Sequence, residues 1–327
     1  MNAQHSPITI DVPLGPSDLD DALRSDVRRG LLAIPKALPP KWFYDEQGCA
    51  LFDQITRLSE YYPTEAERSI LHAHARAIAI TSGADTMVEL GSGSTDKTRV
   101  LLNALSESGQ LRRFSPFEIN EPTLRSSIHD IHVAYPDIEV HAVVGDFERH
   151  LSAIPKNGRR MIVFLGGTIG NFIPAERTSF FAELASTMSV GDTLLLGTDL
   201  VKDIDRLEAA YNDVGGITAD FNRNVLAVVN RELDADFDLS QFEHRAWFDQ
   251  EHSWIEMKLR SLVAQQVHVR ALDLVVHFAR DEEMRTEVST KFRRDQVEVE
   301  LSNAGLMVEK WMTDPAGDFA LSLSFKI

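Results

Sequence analysis

The chain has 327 residues, with 50 acidic against 33 basic side chains and a formal net charge of −17; such a surface repels phosphate backbones and argues against a nucleic-acid binder. Its one cysteine, Cys49, excludes an intrachain disulfide framework and a thiolate metal cluster, and fits a reducing cytoplasm. The opening "MNAQHSPITIDVPLG" lacks a basic stretch followed by an apolar core, and no run reaches the roughly 18 apolar residues of a membrane span, so neither a leader peptide nor a membrane partner is expected.

Residues 1–20, with prolines at 7, 13 and 16, read as an irregular lead-in, and a helix is predicted over 19–32. "KALPPKWFYDEQG" at 36–48 reads as ordered loop, because its adjacent prolines break regular structure while its aromatic cluster seeks burial. A short helix near 49–57 follows. "YYPTEAERSILHAHARAIA" opens a long helix. Thr64 and Glu67 give a capping-box pattern, and Ile70, Leu71, Ala75, Ile78 and Ala79 an apolar face. Strands are then expected at 87–90, 114–119, 139–144, 161–165 and 192–198, with helices near 96–107, 121–134 and 175–188. That alternation marks an open parallel α/β sheet, whose ligands sit beyond the C-terminal ends of the strands. After Asp199 the rhythm breaks into helices over 202–230, interrupted at Gly215-Gly216, and strands within 242–278. "SWIEMKLRS" alternates cleanly, with Ile255, Met257 and Leu259 on one side. A helix at 292–304 precedes "LMVEKWMTD" and "FALSLSFKI", an antiparallel pair able to complete the first sheet.

The turn "GSGSTDKT" from Gly91 to Thr98 admits three readings. A phosphate loop needs glycine where Asp96 stands, and a carboxylate there meets phosphate with like charge. A dinucleotide fingerprint needs its third glycine at the same place. The third reading is a nucleoside without phosphate. Glu89 precedes the turn, Glu118 ends the next strand where a ribose diol would lie, and Asp146-Phe147 ends the third, an acceptor for an adenine amino group beside an aromatic face. Acids around the ligand suit a cationic one such as S-adenosylmethionine. Glu89 and Glu118 also admit a local use, capping turns and forming nearby ion pairs.

Here the chain resembles the histidine-specific methyltransferases of ergothioneine biosynthesis, which trimethylate the α-amine of L-histidine to hercynine. The resemblance runs from about residue 20 to the C-terminus on "LPPKWFYDEQGCALFDQIT", "EYYPTEAE", "VELGSGSTDKTRVLL", "VVGDF", "FLGGTIGNF" and "TEVSTKF", in that order. It implies a class I methyltransferase (Rossmann-like), mostly parallel sheet with a second, smaller α+β substrate-binding domain. The implied division is 1–63, an N-terminal part of the substrate-binding domain; 64–200, the methyltransferase domain; 201–290, the substrate-binding domain; and 291–327, the end of the methyltransferase domain. It implies S-adenosylmethionine held by Tyr44, Gly91, Lys97, Glu118, Asp146 and Phe147. Tyr61, Gly167, Asn171 and Tyr211 are implied around the amino acid's amine and carboxylate, with Glu287 and Ser289 at its ring and Met257 as an apolar wall. Tyr61 and Asn171 are the candidate catalytic residues.

The residues themselves fit such a substrate. A buried imidazole needs both nitrogens satisfied. Glu287 and Ser289, two apart, share one side of an extended stretch, where a carboxylate can take a ring N–H and a hydroxyl can serve the other nitrogen. An indole has one N–H and leaves a polar partner idle, at a cost of about 1–3 kcal/mol. Lys97 can pair with the methionine carboxylate; its other reading is a solvated first-turn lysine. No His/Cys spacing points to a metal site. A monomer is expected. The alternatives kept open are a methyltransferase for a tryptophan-like amino acid and a non-catalytic S-adenosylmethionine-binding protein.

Overall fold

The computed structural model describes residues 8–15, 17–92 and 95–327. In chain order the elements are β1 (Ile8–Asp11), α1 (Asp18–Leu32), β2 (Lys36–Ala37), α2 (Glu46–Ile55), α3 (Pro63–Ser82), β3 (Thr86–Leu90), α4 (Thr95–Glu107), β4 (Arg113–Glu118), α5 (Glu121–Ala134), β5 (Glu139–Val144), β6 (Arg160–Phe164) and α6 (Pro174–Thr187). There follow β7 (Thr193–Asp199), α7 (Ile204–Tyr211), α8 (Ile217–Leu233), β8 (Phe242–Asp249), β9 (Trp254–Ser261), β10 (Gln265–Val269), β11 (Leu274–Phe278), β12 (Glu283–Thr290), α9 (Arg294–Asn303), β13 (Leu306–Thr313) and β14 (Phe319–Lys326). They divide into one unit of Met1–Gly15, Glu65–Leu200 and Phe292–Ile327 and another of Pro16–Thr64 and Val201–Lys291. Among the described residues no helix is long and apolar enough to cross a membrane.

The first unit is an eight-stranded sheet in the order β1-β5-β4-β3-β6-β7-β14-β13. The strands from β1 through β7 pair in parallel, and β14 runs antiparallel to both of its neighbours. The central strands are buried along their whole length, as parallel strands covered on both faces must be. Their alternation sends Met87, Val163 and Leu195 into a core with α3, α4 and α5, and Val88, Ile162 and Leu194 into a core with α6 and α9. The helices start where local chemistry directs: Asn120 accepts from Thr123 N at 3.0 Å, and Pro174 opens α6. One expectation fails at the N-terminus. Residues 8–11 form an edge strand on β5, with Ile8 opposite Val140. This strand is short and mostly exposed, so its apolar pattern is too brief to read, and its hydrogen bonds come from a partner far along the chain.

The second unit holds a four-stranded sheet, β2-β12-β9-β8, and the ribbon β10-β11. Val225, Leu226, Val229 and Leu233 of α8 share one core with Ile255, Met257 and Leu259 of β9 and Met284 of β12. The pairing of β12 with β9 slips by one residue between Arg285 and Glu287. Met284 faces Leu259, but Glu287 faces Met257 and Ser289 faces Ile255. Thr286 is the surplus residue of a β-bulge. A regular ladder would set Thr286 and Val288 on the core side. The bulge puts Glu287 and Ser289 there instead. Thr286 is itself tied down, its hydroxyl donating to Asn222 Oδ1 at 2.6 Å with the Met257 carbonyl oxygen 3.1 Å away.

Candidate active site

In the first unit the expected cofactor residues stand at the C-terminal ends of neighbouring parallel strands. Gly91 follows β3 with φ +70°, a conformation that favours glycine, and among the described residues a Cβ there would meet nothing within 4 Å. Its N–H donates to the Phe117 carbonyl at 2.8 Å. Gly93 and Ser94 of the same turn lie outside the described residues. Glu118 ends β4, with one carboxylate oxygen accepting from the N–H groups of Ile119 and Asn120 at 2.9 and 3.2 Å. Asp146 is buried just past β5 and accepts from Glu148 N at 2.8 Å, while its own N–H donates to His150 Nδ1 at 3.1 Å. The Phe147 ring packs edge-on against Phe164 at 5.4 Å.

Glu89 takes the local role. It is buried, and both carboxylate oxygens lie within 2.9 Å of the Thr98 hydroxyl. Burial pushes its carboxyl up to about 8, against the lowering effect of the Thr98 bond and of Lys97. Lys97 is partly buried and has a partner within the protein. Its Nζ lies 2.5 Å from Glu67 Oε2. Glu67, which the sequence pattern assigned to a capping box, is fully buried and also accepts from Gly166 N at 2.9 and 3.1 Å. It thereby fixes the turn at Gly166 and Gly167, whose φ values are +76° and +69°. Glycine at 167 therefore answers first to backbone conformation. A Cβ added there would meet only the Phe319 ring at 3.5 Å, an ordinary contact. The turn leads into a 3₁₀ helix, Thr168–Asn171, that ends on the half-buried Asn171.

In the second unit, Tyr211 at the end of α7 places its hydroxyl 2.8 Å from Ser289 Oγ. Lys291 is fully buried and donates to both oxygens at 2.8 Å. The family resemblance implies Tyr211 at the amine and carboxylate, apart from the ring-binding pair; the fold joins it to Ser289. The Tyr211 carbonyl accepts from His244 Nε2 at 2.9 Å, and His244 Nδ1 accepts from Asn222 Nδ2 at 2.8 Å. Burial lowers the His244 pKa, so the neutral ring that this pattern requires is favoured. Asn222 in turn holds Thr286, so one hydrogen-bonded chain locks both Tyr211 and the bulge.

Glu287 is buried, and among the described residues nothing donates a hydrogen bond to its carboxylate. Burial pushes it up to about 7, with Lys291 pulling the other way. Met257 lies opposite it on β9 and is buried. A row of rings completes this unit's surface: Tyr44 to Phe52 at 5.6 Å, Phe52 to Tyr61 at 6.2 Å, and Tyr61 to Tyr211 at 6.2 Å. Tyr62, beside Tyr61, differs, since its hydroxyl accepts from Lys202 at 2.7 Å.

Residues 23–326 match the family described as histidine-specific methyltransferase, S-adenosylmethionine-dependent. The chain belongs to that family. A histidine N-alpha-methyltransferase of Mycolicibacterium smegmatis is 59% identical over 306 residues, covering 94% of this chain and 95% of that protein. One of Mycobacterium tuberculosis is 56% identical over 93% of this chain and 95% of its own length. An L-tryptophan methyltransferase of Psilocybe serbica is 29% identical, with 92% of each chain covered. Membership of the histidine-specific family carries the cofactor class with it. Glu67, Lys291, Asn222 and His244 are the residues the sequence reading passed over. Lys291 had a signal, standing two residues beyond Ser289 on the same extended stretch. Asn222 and His244 had none, because only the tertiary fold brings them to Tyr211.

Proposed function

We propose that this enzyme transfers three methyl groups from S-adenosylmethionine to the α-amine of L-histidine, giving hercynine and S-adenosylhomocysteine. The observation that carries the reading is Glu287, a buried carboxylate to which nothing among the described residues donates a hydrogen bond, with the Ser289 hydroxyl two residues along on the same face. A carboxylate in that state needs a donor brought by a ligand, and an imidazole N–H supplies one while its second nitrogen meets Ser289. The names of the two mycobacterial relatives support the same substrate.

For the cofactor, the acids Glu118 and Asp146 and the open left-handed Gly91 fit a cationic nucleoside. They do not fit a pyrophosphate, which like charge would repel. When bound, S-adenosylmethionine supplies a methyl carbon already activated toward a neutral amine, so no metal is required. The chain's part is then alignment. Gly167 and Asn171 come from the turn that Glu67 holds. We assign Asn171 to holding the amine and carboxylate, since among the described residues nothing engages its amide. Tyr61 orients the amine. A neutral phenol is a weak base, so the proton leaves to water. As methyl groups accumulate, the amine loses N–H donors, and the ring row of Tyr44, Phe52, Tyr61 and Tyr211 suits the growing cation.

The test is mass spectrometry of products from purified protein, S-adenosylmethionine and L-histidine. A gain of three methyl groups is expected; methylation of tryptophan in preference to histidine would replace the substrate assignment. We place the enzyme in the cytoplasm as a monomer, for which its single cysteine and acidic surface are the support.

A further inference from the structure

We propose that Lys291 sets the hydrogen-bond polarity of the Ser289–Tyr211 pair, so that the site takes the neutral form of the substrate's imidazole and rejects imidazolium. The inference rests on L-histidine as the substrate.

An ammonium donates and never accepts. Lys291 is fully buried with Nζ 2.8 Å from both hydroxyl oxygens, so each of them accepts from it. The two hydroxyls are themselves 2.8 Å apart and share one hydrogen bond. A phenol is a stronger acid than an aliphatic alcohol, and the adjoining ammonium strengthens it further, so Tyr211 donates and Ser289 accepts. Ser289 Oγ then receives from Lys291 and from Tyr211, and both of its lone pairs are engaged. What it can still offer a ligand is its own O–H.

Glu287 lies on the same face of β12, and when ionised it offers only acceptors. The ring end of the site therefore presents one acceptor and one donor. Neutral imidazole, with one N–H and one bare nitrogen, matches both. Imidazolium carries two N–H groups and sets one of them against the Ser289 proton. An indole satisfies Glu287 and leaves Ser289 idle. Lys291 is thus a positioning residue that acts through Ser289.

The experiment is NMR of L-histidine with isotope-labelled ring nitrogens, bound together with S-adenosylhomocysteine and followed from about pH 8, where the Glu287 carboxyl is ionised, down to about pH 6, where free imidazole is mostly protonated. In the wild-type protein one resonance is expected at the N–H position and one at the bare-nitrogen position. In Lys291→Met, Ser289 regains a lone pair, and two N–H resonances are expected. The KM for histidine should rise about tenfold, more than kcat falls, by the scale of one mismatched buried hydrogen bond. Lys291→Gln, which keeps an N–H donor, should recover part of the KM. Two N–H resonances in the wild type would overturn the proposal, as would a Lys291→Met protein with the wild-type ring pattern and KM. Should Lys291→Met not fold, the wild-type spectrum decides alone. Failure of wild-type protein to bind histidine at all removes the substrate assignment, and this inference with it.

Discussion

Lys97 rests its ammonium on the Glu67 carboxylate, Nζ 2.5 Å from Oε2, while the other oxygen takes the Gly166 N–H at 2.9 Å. One buried acid thus ties the first turn of α4 to the turn that carries Gly167 and Asn171. Glu67→Gln should keep an acceptor for Gly166 and lose the ion pair. Lys97 is 21% exposed, so the cost is discounted from that of a fully buried pair to about 1–3 kcal/mol. Urea unfolding measures that loss, and calorimetry with S-adenosylhomocysteine should show affinity about tenfold weaker. Full affinity in the variant would exclude Glu67 from shaping the cofactor site.

Gly197 makes room for that same acid. A Cβ added there would stand 2.3 Å from Glu67 Oε1. Gly197→Ala should push the carboxylate aside and reproduce the Glu67→Gln defects, at about 1–3 kcal/mol for overpacking. Because both changes break one contact, the double variant should lose less than the sum of the two, and a double-mutant cycle reads this directly.

Glu287→Gln should raise the KM for histidine by roughly tenfold to a hundredfold, the scale of one hydrogen bond to a charged acceptor. Binding of S-adenosylhomocysteine should hold, since Glu118 and Asp146 are untouched. Steady-state kinetics beside calorimetry separates the two. An unaltered KM would place the ring elsewhere.

Glu89 ties stability to pH. Its carboxyl titrates near 4.5 in the unfolded chain and at about 8 in the fold. Between those values the unfolded chain sheds a proton that the folded chain keeps, so this group lowers stability as pH rises, at about 1.4 kcal/mol for each full unit. Gln cannot titrate and still accepts from Thr98. The stability of Glu89→Gln relative to wild type should therefore improve steadily from about pH 5 to about pH 8, followed by urea midpoints across that range. A constant difference would mean that Glu89 is ionised in the fold.

The parallel sheet was legible because its evidence is local: "MVEL", "MIVF" and "TLLLG" are apolar runs set between helical stretches. Glu118 and Asp146 were legible for the same reason, since each stands at a strand end. The edge strand at Ile8–Asp11 was not, being four residues long and paired to a distant segment. Glu67 shows how a local pattern misleads. Three residues after Thr64 it satisfies a capping rule, yet burial and two long-range partners claim its carboxylate. The bulge at Thr286 was equally hidden. Alternation told us that Glu287 and Ser289 share a side, but the choice of side depends on the register against β9, which only the folded sheet determines.

Deleting Thr286 tests that register. With the surplus residue gone, β12 should pair regularly with β9 and still keep Glu287 opposite Met257 and Ser289 opposite Ile255. Histidine methylation should therefore persist, with a raised KM because the bond from Thr286 to Asn222 is lost, while S-adenosylhomocysteine still binds in calorimetry. Methylation below detection in a folded variant would mean that the bulge itself, beyond the register, is needed to present the two side chains.

What this strand shows a substrate is therefore governed by how it slides against its neighbour as much as by its lettering. Pairing the same residues without the bulge would exchange a carboxylate and an alcohol for a threonine and a valine without altering a single codon. A change of amino-acid preference among proteins built this way can thus begin with a slipped strand, well before any pocket residue is replaced.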